Sequence, residues 1–305
     1  VPDESWFTAY HPYINHMAFL LDLQQNFNNY AELFTTGDSF EGRPVIGIHI
    51  WGSGGKGSKP TVVVHGTVHA REWITTMTTE YFAYQLLNEY HHRFNATVRA
   101  LVDKFDYYII PIVNPDGTSS LPQLLSLHQV LIVRPIGFVH TQTTDRLWRK
   151  NRQPTNNSSC IGRDINRNWP YKWDLALGSS SSPCSEIFKG EAAGDAPENL
   201  GLRTQIEALR DSTGVRLYLD IHAYGQFILW REPSPSSPII ISVERNNRLT
   251  LYNSIRILLH PPRCQRNTPP APRDARRGRH PRILRLQVHR RSGVRVPICD
   301  YGELA

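Results

Sequence analysis

Thr61-Val62-Val63-Val64-His65-Gly66-Thr67-Val68-His69-Ala70-Arg71-Glu72-Trp73 is the stretch on which the fold turns. Three valines after a threonine read as a buried strand, the chain then turns, and from Trp73 to Tyr90 the spacing becomes helical, with Ile74, Met77, Tyr81, Tyr84 and Leu87 recurring on one side. Outward from this unit the pattern repeats. Val45 to Ile50 alternates and runs into the turn-rich Gly52 to Gly57. Phe105 to Val113 reads as a strand that ends at the turn Asn114-Pro115-Asp116-Gly117. Glu198 to Arg210 reads as a helix, and Val215 to Ile221 as a central strand that delivers His222 at its end. Alternating strands and helices over residues 1–230 predict an α/β domain built on a mixed sheet. Such sheets place their chemistry at the carboxyl ends of strands.

Composition bounds the rest. The chain has 305 residues, 40% hydrophobic and 20% charged, which is enough for a sizeable core and excludes disorder throughout. Apolar runs such as Tyr107 to Val113 fall short of the roughly 18 residues of a membrane span, so no membrane partner is expected. No signal peptide is visible, and a start at Val1 points to a processed or cropped chain. The net charge of +7 is uneven: residues 256–305 hold 12 Arg and 3 acidic residues, leaving −2 for residues 1–255. The basic balance therefore belongs to the tail and says nothing about a substrate. Without interleaved aromatics or a recognisable fold, that tail gives no reason to expect nucleic acid.

Two stretches break the order. Thr118 to Gly137 is an abrupt Ser/Leu-rich insert, and residues 231–305 become an atypical Arg/Pro-rich tail, expected to be poorly ordered because Arg resists burial and Pro breaks ladders.

Cys160 and Cys184 bracket a Ser-rich loop, where either a disulfide or two free thiols is compatible with the spacing. Sequons at Asn95, Asn156 and Asn157 lean toward a secretory, glycosylated product. His69 and Glu72 stand three residues apart where the helix begins; with His222 they form a candidate His/Glu/His zinc set that leaves a fourth position open. By itself, His-x-x-Glu is also compatible with a satisfied loop histidine and a first-turn glutamate facing the helix dipole. In Leu147 to Arg152 and Asp164 to Trp169, guanidinium and amide groups suit an anionic terminus: Asn166 and Arg167 for a carboxylate, Arg149 for a carbonyl oxygen. These segments also fit a solvated basic face. His91 and His92 read as a solvent-facing helix end, and His65 as packing beside its strand.

In one order come His69-Ala70-Arg71-Glu72-Trp73, Asn114-Pro115-Asp116-Gly117, Arg146-Leu147-Trp148-Arg149-Lys150, Asp164-Ile165-Asn166-Arg167-Asn168-Trp169, Pro183-Cys184-Ser185-Glu186 and Ile221-His222-Ala223-Tyr224. This series resembles the carboxypeptidase A/B-type zinc metallocarboxypeptidases over roughly residues 5–230 apart from the insert. The resemblance implies a mixed central sheet with helices on both faces, incomplete at its C-terminal part, and a catalytic domain over 1–230 that begins near the start of a mature, secreted enzyme, its signal and pro-segments absent. It implies one Zn2+ per chain on His69, Glu72 and His222, with Asp164 orienting His69. Arg149 would polarise the carbonyl, Asn166 and Arg167 would hold the terminal carboxylate, and Arg71 would contact the peptide upstream. Cys160 and Cys184 match the family's disulfide. The implied reaction is removal of one C-terminal residue from a peptide or protein by a monomer.

The family's general base, a glutamate in a late strand reading like Glu-Leu-Arg-Asp, has no match here, nor does the tyrosine expected to close over the substrate. Glu232, Glu244 and Glu303 offer no convincing substitute, so activity is expected to be impaired and side-chain preference unreadable. A non-catalytic relative that binds zinc or peptide termini is the alternative. Deleting Thr118 to Gly137 restores the family's continuity, so the insert reads as a retained intron and the tail as translation in a wrong frame.

Overall fold

The computed structural model describes residues 3–92, 95–116, 139–157, 159–175, 178–225, 228–230 and 239–244. The elements are α1 (Tyr13–Asn26), β1 (Ala31–Asp38), β2 (Pro44–Ile50), β3 (Thr61–Gly66), α2 (Trp73–His92), α3 (Ala96–Lys104), β4 (Asp106–Ile110), α4 (Val139–Thr143), α5 (Pro197–Ser212), β5 (Val215–His222), β6 (Ile228–Trp230) and β7 (Ile239–Glu244). The seven strands form one sheet in the order β1-β2-β4-β3-β5-β7-β6. β4, β3, β5 and β7 run parallel, and the outer pairings are antiparallel. This is the mixed α/β sheet expected from the sequence.

Helices cover both faces. Val62 and Val64 pack with Ile74, Met77 and Leu87 of α2, together with α1, on one side. Val63 and Tyr218 pack against Leu209 of α5 on the other. That double cover changes the reading of β2. Its residues after Pro44 are all buried rather than alternately exposed, because neither face meets water. β4 is shorter than the expected Phe105 to Val113, since the chain leaves the ladder after Ile110 on its way to the Asn114-Pro115 turn. His91 and His92 are exposed at the end of α2, as expected.

The late part of the chain needs one correction. The sheet does gain a strand beyond residue 230, since Ile239–Glu244 pairs in parallel with β5 from Leu217↔Ile239 to His222↔Glu244. Its three isoleucines and a valine are β-branched, and the surrounding Pro and Arg masked that local propensity. The insert 118–137 and the tail beyond residue 244 lie outside the described residues.

Candidate metal centre

Parallel pairing brings two strand ends together. β3 and β5 match His65 with Asp220 and Gly66 with Ile221, so the turn after β3 and the last residue of β5 open on the same edge. In that turn the Glu72 N–H donates to the His69 carbonyl at 3.0 Å, and the Ala70 N–H donates to the Arg149 carbonyl at 3.1 Å. The Thr75 hydroxyl donates to the Glu72 carbonyl at 2.7 Å and accepts from the Thr67 N–H at 2.8 Å, which fastens the turn to the first turn of α2.

His69, Glu72 and His222 converge there, all buried, with one ligand atom from each within 4.8 Å of the others. His69 Nδ1 lies 2.8 Å from Glu72 Oε1, His222 Nδ1 lies 3.1 Å from Glu72 Oε2, and the two Nδ1 atoms are 3.2 Å apart. On the far side of each ring a carboxylate faces Nε2: Asp164 Oδ1 at 3.1 Å from His69 and Asp220 Oδ2 at 2.7 Å from His222. Rings that donate through Nε2 turn bare Nδ1 lone pairs toward one another and toward a carboxylate, an arrangement that suits a cation. Two nitrogens bound to zinc at about 2.0–2.1 Å in tetrahedral geometry stand about 3.3–3.4 Å apart, close to the spacing found. The residues fit the metal.

The local field favours positive charge at the centre, where a bound metal would take the place of a proton on His222. Burial raises the Glu72 carboxyl, but His69 and His222 outweigh it and hold the group down at about 2. Burial lowers the His222 imidazole, while Asp220 and Glu72 more than reverse this and lift it to about 10. Burial likewise raises Asp164, and His69, Arg149 and Arg167 hold it well below the usual carboxylate range.

The other expected residues are placed less uniformly. Arg149 does not face the centre with its whole fork: Nε and Nη2 donate to Asp164 Oδ2 at 3.1 and 2.8 Å. Only Nη1 turns inward, 3.3 Å from His69 Nδ1 and 3.9 Å from Glu72 Oε1. Asn166 reaches the cluster, with Nδ2 3.0 Å from His222 Nε2. Arg167 is turned onto backbone, donating to the Gly178 carbonyl at 2.8 Å and to the Asn166 carbonyl at 3.1 Å. Arg71 donates to the Leu147 carbonyl and to Glu186 Oε2, both at 3.0 Å. Cys160 and Cys184 form a disulfide, with their Cα atoms 5.1 Å apart. Asp220 was not among the residues singled out in the sequence, although it lies two residues before His222 on a strand and so shares its face.

Arg149 and Asp164 are held by a second layer. The Asn151 N–H donates to the Arg163 carbonyl at 3.0 Å, the Arg163 N–H donates to Asn151 Oδ1 at 2.8 Å, and Asn151 Nδ2 donates to Glu198 Oε2 at 2.9 Å. Gly162 is required beside this pair: its φ is +87°, and a Cβ would fall 2.2 Å from the Asn151 carbonyl oxygen. Burial pushes the Glu198 carboxyl up to about 7 against the Asn151 hydrogen bond, and Asp116 adds to the rise. A raised folded-state pKa means that stability is full below the unfolded value and is lost as pH climbs toward the folded one. Glu198→Gln removes this dependence, so the stability deficit of the variant should narrow by about 2 kcal/mol between pH 5 and pH 8. Urea denaturation at the two pH values reads the gap; a constant gap contradicts the assignment.

The zinc carboxypeptidase family model matches residues 16–249. The chain belongs to the zinc carboxypeptidase family. Metallocarboxypeptidase A from Trichophyton rubrum is 45% identical over 228 residues, which cover 75% of this chain and 49% of that protein. A zinc carboxypeptidase from Simulium vittatum is 36% identical over 221 residues, 72% of this chain and 63% of that one. Among solved structures, carboxypeptidase A from Helicoverpa armigera superposes with a TM-score of 0.60 at 34% identity, covering 73% of this chain and 48% of that one. Thrombin-activatable fibrinolysis inhibitor superposes with a TM-score of 0.64 at 26% identity, covering 76% and 52%. The chain thus spans about half the length of the Trichophyton relative. Among its described residues, no helix is long and apolar enough to cross a membrane.

Proposed function

We propose that the chain binds one zinc ion on His69, Glu72 and His222, takes peptide or protein C-termini at that site as a monomer, and removes a single C-terminal residue only slowly. The convergence of three buried ligand atoms beside the inward-facing Nη1 of Arg149 carries this reading. When bound, zinc supplies a Lewis acid and a water of lowered pKa. His69 and His222 keep their Nδ1 lone pairs aimed at the centre because Asp164 and Asp220 hold their Nε2 protons. Arg149 stays oriented through Asp164, and its inward-turned Nη1 exchanges His69 Nδ1 for the scissile carbonyl oxygen as negative charge grows there. For Asn166 and Arg167 to hold a terminal carboxylate, Arg167 exchanges the Gly178 carbonyl for the anion, a stronger, charge-assisted partner. Arg71 makes the same kind of exchange from Glu186 to the peptide upstream.

Slow turnover follows from proton traffic. A carboxylate must take a proton from the water and return it to the amine. Among the described residues at the centre, Glu72, Asp164 and Asp220 are each already committed to an imidazole. A second reading, full turnover, draws on the register that sets Glu244 opposite His222. The disulfide supports an oxidising, extracellular setting. Asn156 and Asn157 are exposed, as glycosylation requires.

The zinc-loaded chain should bind a free-acid peptide about tenfold or more tighter than its amide, from the lost charge-assisted hydrogen bonds. Equal affinity for the two peptides removes Asn166 and Arg167 from the account. Rapid hydrolysis that disappears in Glu244→Gln replaces slow turnover with the second reading.

A further inference from the structure

The period of two along β5 puts Tyr218, Asp220 and His222 on one face, and the β3 register sets His65 beside Asp220. All four are buried. His222 Nε2 lies 2.7 Å from Asp220 Oδ2, and the other carboxylate oxygen, Oδ1, lies 3.5 Å from His65 Nδ1. His65 Nε2 in turn lies 2.6 Å from the Tyr218 hydroxyl. The row lies under α5, where Leu209 and Ile206 pack around Tyr218 and keep water out. His65 Nδ1 and Asp220 Oδ1 have no hydrogen-bond partner among the described residues, and they face each other.

We infer that Asp220, backed by His65 and Tyr218, is a second carboxylate clamp that positions the zinc-binding ring of His222, as Asp164 does for His69. One assignment of protons serves every contact along the row from Tyr218 to His222. The Tyr218 hydroxyl donates to His65 Nε2, and His65 Nδ1–H points at Asp220 Oδ1. His222 Nε2–H donates to Asp220 Oδ2, which leaves the Nδ1 lone pair of His222 bare toward the centre. The Asn166 amide nitrogen near Nε2 then meets another N–H rather than an acceptor, so Asn166 is released toward a substrate carboxylate. Burial favours neutral His65, with one ring N–H and one acceptor, which matches the order Tyr218 to His65 to Asp220. Asp220 is a positioning residue: it touches a ligand of the metal and not the reacting atoms.

The inference rests on the proposed zinc site, and the test separates the two. Zinc affinity of the full chain is measured by chelator competition, and the visible spectrum is recorded after cobalt substitution. Asp220→Asn should weaken zinc about 10–100-fold and alter the cobalt bands, while Asp106→Asn, a buried carboxylate away from the centre, should do neither. Tyr218→Phe, which keeps the ring packing, should weaken zinc by a smaller factor, and adding it to Asp220→Asn should cost nothing more if Tyr218 acts through Asp220. If Asp220→Asn does not fold, a Tyr218→Phe chain with unchanged affinity and cobalt spectrum overturns the clamp. Unchanged values in a folded Asp220→Asn overturn it directly. A wild-type chain that holds no zinc overturns the site itself.

Discussion

Glu72→Gln should weaken zinc binding by at least about 100-fold, more than the loss of any partner behind the ligands, because an anionic ligand becomes a neutral amide with the same shape. Glu72 is buried, held ionised by His69 and His222, and offers one oxygen to each. Oε2 also accepts the Ala223 N–H at 3.0 Å, so the amide oxygen of the variant is drawn to that backbone donor and its NH2 is left facing His69. The site then presents a donor where a cation requires an acceptor. The fold is anchored elsewhere, in the packing of α2 and α5 against the sheet, so in chelator the variant should still unfold cooperatively, at a midpoint lowered by the loss of the pairs with His69 and His222. Metal content after dialysis against a defined zinc buffer reads the loss; retention of wild-type affinity removes Glu72 from the ligand set.

Arg149→Ala should destabilise the chain by about 3 kcal/mol even without metal, because it strips the two-pronged partner from a buried carboxylate. Asp164 keeps only His69 Nε2 and the Asn166 N–H, both on Oδ1, so Oδ2 loses its donors. Arg149→Lys should recover little of this, since a single ammonium cannot supply the parallel pair that a guanidinium makes. Urea midpoints of the wild type, Arg149→Ala and Arg149→Lys in chelator measure the effect. A change below about 1 kcal/mol for alanine, the range of an exposed pair, contradicts the role given to Arg149 in holding Asp164.

β3, α2 and β5 were legible in the sequence because their signals are local and strong: a valine run, apolar residues at helical spacing, and a strand that stops at a histidine. α1 and β1 were not. Pro12 precedes α1 without a side-chain cap, and Ala31–Asp38 buries only Ala31, with half-buried and exposed residues following in no steady alternation. α3 is short, and its clearest sign is Asn95, whose side chain caps it through the Thr97 and Val98 N–H groups. The ligand triad was legible as residue types in order, but its closure depends on the β3/β5 register, which no local pattern encodes. The directions of Arg149 and Arg167 depend on Asp164 Oδ2 and the Gly178 carbonyl, partners 15 and 11 residues away, so the sequence could name the side chains and not their aim.

X-ray absorption at the zinc edge of the loaded 305-residue chain tests the centre most directly. It should report two imidazole nitrogens with carboxylate and water oxygens in one shell at about 2.0–2.1 Å. A sulfur shell at about 2.3 Å would instead put the metal on cysteine and contradict the assignment of His69, Glu72 and His222.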